Sequence, residues 1–205
     1  MTDIVDVAVT PEDEPKKKKR INSRKKGSSF EGNIAKTLTE MMSSYGFVFR
    51  RSERSGGVLG GSNVKDLMKY AAEVRPMMLG DVVSTNEMDI LKKFQDVERL
   101  RFVIECKFYR DQPTLSKFLS NTTLINNWFQ ESVIDAAKID RQPILIFKFN
   151  HTKIFVAFNV DPPPGEIQPG DTGIMTWSGF HIMELDRMLK YPEWWIVKKP
   201  LVKAV

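Results

Sequence analysis

The sequence predicts an α/β (α+β) domain built on a central mixed β-sheet flanked by helices. Three observations lead there. Apolar residues at helical spacing, Phe30, Ile34 and Leu38, begin the body of the chain. Short apolar runs bounded by turn residues recur, above all Phe102-Val103-Ile104 and Ile144-Leu145-Ile146-Phe147. A long helical segment separates those two runs, and strands interleaved with helices bury both faces of a sheet.

The elements follow in order. Residues 1–26 carry no apolar period and read as a disordered arm, acidic and then basic. They hold eight Lys/Arg against five Asp/Glu, so the arm supplies +3 of the chain's formal +5. The body, residues 27–205, is close to neutral and reads as a single domain. Attraction to a polyanion then comes from the arm or from a local patch. Ser28 or Ser29 is the expected N-cap of a helix ending near Gly46. A strand at 47–50 leads into the glycine- and serine-rich stretch 52–61, and a short helix is expected at 65–73. Gly80 leads into a strand at 81–83, and 84–98 reads as a polar excursion or hairpin. Residues 101–109 form the central strand. Residues 115–140 read as one helix, with Leu119, Trp128, Phe129, Val133, Ala136 and Ala137 toward the core. Strands follow at 144–149, 152–159 and 177–183, then a short helix at 185–189. Lys148 interrupts an apolar strand and is expected to face a cleft or an edge. Trp194-Trp195 packs the end of the chain down.

Composition excludes several classes. Hydrophobic residues make up 41% of the 205, too many for a disordered chain. One cysteine permits no intramolecular disulfide, and with only two histidines in the chain the ligand supply argues against an ordinary zinc site. No window approaches the ~18 apolar residues of a membrane span, and no secretory leader is visible, so a cytoplasmic protein is expected.

Chemistry concentrates at Glu105-Cys106-Lys107, which closes the central apolar run. Side chains alternate along a strand, so Glu105 and Lys107 share a face while Cys106 points away. Asp81 enters the strand upstream. Two carboxylates and an ammonium can then meet at one point. Carboxylate oxygens suit a hard cation that keeps water in its remaining positions. Such an ion acidifies water and polarises a phosphoryl oxygen, while the lysine orients a nucleophile or neutralises charge. Glu87 and Asp89 compete with Asp81 for the acidic position. Arg50, Arg51 and Arg54, beside the glycine-rich stretch, offer forked donors for phosphate, and no Gly-Lys-Ser/Thr follows, which excludes a P-loop.

With Gly27, Phe30 and Glu31, then Arg50, Ser55-Gly56-Gly57, Gly80-Asp81 and Glu105-Cys106-Lys107 in this order, the chain resembles the PD-(D/E)XK nuclease superfamily. Within it, the chain is most similar to archaeal-type Holliday junction resolvases and their phage relatives. The resemblance runs from about Lys26 to Leu189. It implies a restriction-endonuclease-like core. It implies that Asp81, Glu105 and the backbone carbonyl of Cys106 bind Mg²⁺, with Mn²⁺ able to substitute. Glu31 would act through water or a second metal, Lys107 would position the attacking water, and Ser55 would touch the scissile strand. Arg50, Arg51, Arg54, Lys148, Lys25 and Lys26 are the candidate DNA contacts. The implied substrate is branched double-stranded DNA, cut by a homodimer. A restriction-type nuclease, a flap or end-processing nuclease and a non-catalytic DNA-binding module are the alternatives. Glycine stands where the family has proline before Asp81, a departure expected to matter little.

Overall fold

The computed structural model describes residues 23–52, 79–94, 96–120, 123–165 and 173–198. Most of the arm, Arg54, Ser55 and the helix expected at 65–73 lie outside these residues.

Helix α1 (Ser23–Met41) begins five residues before the expected cap, so Lys25 and Lys26 belong to a helix. Phe30, Ile34, Leu38 and Met42 recur every fourth residue and are all buried, which fixes the face the helix presents to the sheet. Strand β1 (Phe49–Arg51) follows, and then β2 (Val82–Ser84), with Asp81 just before it. The expected polar excursion contains a helix, α2 (Glu87–Lys93), and a strand, β3 (Val97–Leu100). The central strand is β4 (Phe102–Tyr109).

The single helix expected at 115–140 is two, α3 (Leu115–Leu119) and α4 (Leu124–Ala137). The second has its own cap, since Thr123 accepts a hydrogen bond at 3.3 Å from the Asn126 amide. Of the expected core residues on α4, Phe129 and Ala136 are buried, Trp128 and Val133 are half-buried, and Ala137 is exposed. Strands β5 (Gln142–Phe149) and β6 (Ile154–Phe158) form the expected pair. The strand expected at 177–183 is instead a hairpin of β7 (Ile174–Trp177) and β8 (Phe180–Glu184). Ser178 and Gly179 make its turn, both at positive φ, the two-residue geometry that matches strand twist. Helix α5 (Leu185–Met188), a 3₁₀ turn (Pro192–Trp195) and β9 (Ile196–Lys198) complete the described chain.

Seven strands form one sheet in the order β1-β2-β4-β5-β6-β8-β7, and β3 with β9 forms a second small sheet. Neighbours in the large sheet are antiparallel except for β4 and β5. That parallel pair needs a crossover, which α3 and α4 supply. On one face α1 packs over Ile104, Cys106, Ile144, Ile146 and Val156. On the other, Ile125 and Phe129 of α4 pack with Leu145, Phe147, Ala157 and Phe180, and Ala136 packs with Val103. The result is three layers, with β4 and β5 buried between helices. Trp194 and Trp195 close one end against Phe102, at ring distances of 4.5 and 5.6 Å, as their sequence suggests.

Candidate active site

The site forms where β2 begins and β4 ends. The Asp81 amide donates to the Ile104 carbonyl at 2.8 Å, and the Asp81 carbonyl accepts from the Ser52 amide at 2.8 Å. This backbone clamp aims the side chain. Val82 belongs to the core face with Ile104 and Cys106, so by alternation Asp81 lies on the face of Glu105 and Lys107. Its Oδ2 accepts from the Cys106 amide at 3.0 Å. Lys107 Nζ donates to Glu105 Oε1 at 2.7 Å. Cys106 points the other way and is buried. N–H and C=O of one strand residue lie on the same edge. The Cys106 carbonyl is therefore directed to the side occupied by Asp81.

Glu31 arrives from α1. Its neighbour Phe30 packs on Phe108, with ring centroids 5.5 Å apart, and Glu31 itself pairs with Arg51 of β1. Its charge acts on Asp81. Asp81, Glu105 and Lys107 thus meet on one face, and Glu31, paired with Arg51, lies within electrostatic reach of Asp81.

Electrostatics make this region short of positive charge. Burial first, and then the Glu105 and Glu31 carboxylates, push the Asp81 pKa up to about 8. The Cys106 amide and the Lys107 ammonium oppose that rise without cancelling it. Burial lowers the Lys107 pKa, but Glu105, with Asp81 and Glu131 behind it, outweighs burial and leaves it raised. Lys107 is therefore a lasting ammonium and not a neutral base at pH 7. Among the described residues no three His, Cys, Asp or Glu side chains cluster as a ready-made metal cage. Asp81 and Glu105 make a pair of carboxylates with a carbonyl beside it.

The rival acids fall elsewhere. Glu87 is buried against Arg141, 2.6 Å away, and accepts from the Leu100 amide at 3.0 Å. Asp89 lies exposed on α2. Arg50 is exposed on β1, and Arg51 is half-exposed beside Glu31. Lys25, Lys26 and Lys148 all line one cleft at the C-terminal end of β4 and β5, on the face that α1 covers. Two contributors escaped the sequence reading. Ser52 looks like any loop serine, yet its amide holds the Asp81 carbonyl. Glu131 acts on Lys107 from α4, one turn after Trp128, whose ring lies 5.8 Å from Tyr109, a long-range placement with no signal in the sequence.

A mixed sheet between α1 and α4, with an acid before β2 and Glu-x-Lys on its antiparallel neighbour, is the restriction-endonuclease-like core. The family described as "phage putative PDDEXK endonuclease" matches residues 22–196, and the chain belongs to that family. No curated protein and no solved structure matches the chain. No helix among the described residues is long and apolar enough to cross a membrane.

Proposed function

We propose that this chain is a Mg²⁺-dependent, structure-selective endonuclease that cuts branched double-stranded DNA, above all four-way junctions, by paired symmetric nicks. The meeting of Asp81, Glu105 and Lys107 beside the Cys106 amide, in a chain of this family, carries the reading. Asp81, Glu105 and the Cys106 carbonyl would hold the ion, with Glu31 acting through water or a second ion. The donors fit Mg²⁺, which takes one or two carboxylates and leaves its other positions to water and phosphate. The raised Asp81 pKa fits too, because it marks a point where added positive charge is stabilising. When bound, the ion polarises a phosphoryl oxygen and makes water more acidic, and Mn²⁺ would substitute.

The chain's own groups do the rest. The Cys106 amide fixes the Asp81 carboxylate in one orientation. Glu105 holds Lys107 Nζ in place, and Nζ keeps its proton, orients the attacking water and offsets charge developing on the phosphate. Ser55 touches the scissile strand, and Arg50, Arg51 and Arg54 grip neighbouring phosphates. In-line attack leaves 5′-phosphate and 3′-hydroxyl ends. A two-fold homodimer supplies two active sites for two symmetric nicks. Selectivity comes from branch shape and phosphate positions, with little base readout. The work is done in the cytoplasm of the phage's host.

The test is a gel of a labelled four-way junction and its linear duplex control, with and without Mg²⁺. Symmetric nicks confined to the junction and to Mg²⁺ are expected. Cutting of the duplex at a fixed sequence would replace the reading with a restriction-type enzyme, and cutting only at flaps or ends with a processing nuclease. Junction binding without cleavage would make the chain a non-catalytic module.

A further inference from the structure

The cleft at the C-terminal end of β4 and β5 is distinct from the metal-holding groups and has a charge pattern of its own. Strand register sets Phe108, Lys148 and Ile154 side by side across β4, β5 and β6. They continue the rows of Ile104 and Cys106, and of Ile144 and Ile146, which α1 covers. Lys148 thus occupies a position that the preceding residues of its row use for core packing. Lys25 and Lys26 reach the same cleft from the first turns of α1, and the cleft measures about 420 Å³. Lys26 is held there, with Nζ 4.0 Å over the Phe108 ring and bonded to the Asn150 side chain.

The charged groups that line this cleft are all of one sign. Its lining holds three lysines and no carboxylate. Among the described residues no carboxylate pairs with Lys25, Lys26 or Lys148. The first turn of α1 has no acidic residue, although helix N-termini favour negative charge. Cations against the positive end of a helix are unfavourable until an anion arrives. Ser29 and Asn33 add neutral hydrogen-bonding groups, and Phe30 and Phe108 give an apolar floor that suits a sugar.

The cleft and the carboxylate pair lie near the same end of β4 but on opposite faces of the sheet, because successive residues of a strand point to opposite sides. Phe30 lines it and Glu31 does not; Phe108 lines it and Lys107 does not. Lys148 is paired with Phe108, three positions beyond Glu105 on the strand, about 10 Å along the sheet, and the change of face adds about as much again. Phosphates of one DNA strand follow at about 3.4 Å of helix axis each. We infer that this cleft is a docking site for the DNA backbone, in which Lys25, Lys26 and Lys148 take phosphates about three to six positions from the scissile one. The strand reaches it by rounding the end of β4. This inference rests on the nuclease reading above and gives it a substrate track.

The experiment measures binding of a labelled four-way junction and a linear duplex by anisotropy, without metal, over a range of salt. It compares wild type, Lys148→Ala, the triple variant K25A/K26Q/K148A, and Lys92→Ala on α2 as a charge control. Each lysine–phosphate pairing removed should lower the slope of log affinity against log salt by about 1, so the triple variant's slope should fall by about 2 or more. Its affinity near physiological salt should fall at least about tenfold, with the slope of Lys92→Ala unchanged. Methylphosphonates placed singly along the cut strand should weaken wild-type binding at one or two positions in the assigned interval, and should have no further effect there in the triple variant. Circular dichroism confirms that the variants fold. A triple variant with wild-type slope and the same methylphosphonate pattern would overturn the cleft assignment alone, leaving the nuclease reading intact. A wild-type chain that binds neither DNA would overturn both.

Discussion

Gly80 lies against the carbonyl of Ile104 so closely that a Cβ at position 80 would stand 2.6 Å from its oxygen. Its φ of +92 is a conformation that side-chain-bearing residues rarely adopt and that proline cannot. Glycine is therefore a structural requirement at this position. The backbone cannot move away cheaply, because the next residue, Asp81, is bonded to that same carbonyl. Gly80→Ala should cost about 2 kcal/mol or more in urea unfolding and should lower cleavage further by displacing Asp81. Wild-type stability in that variant would contradict the geometry.

Asp81→Asn and Glu105→Gln remove one carboxylate each while keeping shape and hydrogen-bonding capacity. Each should lower the cleavage rate by at least about a hundredfold and largely spare junction affinity. Rates come from single-turnover gels and affinities from metal-free binding. Near-normal cutting by either pure variant would overturn the assignment of the two carboxylates as a joint metal site.

The pH dependence has a definite sign. Asp81 titrates near 8 in the folded chain and near 4 when unfolded, so the folded state holds the extra proton between those values. Its contribution to stability is complete below about 4 and is lost as pH rises through about 8. Metal-free protein should grow less stable over that window, and Asp81→Asn should flatten the trend. Titration with Mg²⁺ near pH 7 should release up to one proton per site, read by calorimetry in buffers of different ionisation enthalpy. A binding enthalpy independent of the buffer would argue that Asp81 is already ionised.

Glu87 and Arg141 hold each other with both side chains only 6% exposed. Glu87→Ala strands a buried guanidinium and the Leu100 amide, and should cost about 3–5 kcal/mol. The same residue stays away from catalysis, so a destabilised Glu87→Gln protein that still folds at low temperature should cut DNA at close to the wild-type rate. A selective drop in rate at unchanged stability would restore Glu87 as a rival metal acid.

What the sequence made legible was what local periodicity carries. The alternation at 102–109 placed Glu105 and Lys107 together and Cys106 in the core. The spacing of Phe30, Ile34 and Leu38 gave α1 its buried face. Its start was missed because Arg24 to Lys26 are good helix formers without apolar period. The break between α3 and α4 was hidden because Thr123 caps a helix inside a segment that scans as continuous. The turn at Ser178-Gly179 was missed because apolar and aromatic residues flank it closely on both sides. In the site, Asp81 was preferred for its place after a turn and before an apolar strand, whereas what occupies its rival Glu87, a pairing with Arg141, lies 54 positions away. Such long-range pairing leaves no local mark.

Cys106 is the chain's one thiol, and burial holds its pKa well above the ordinary value. Its sulfur lies behind the strand whose opposite face presents Glu105 and Lys107. Alkylating reagents can reach it only when that strand opens, so the rate of thiol labelling measures how often the catalytic strand comes apart, and the same protection shields the site from oxidation while it stays closed.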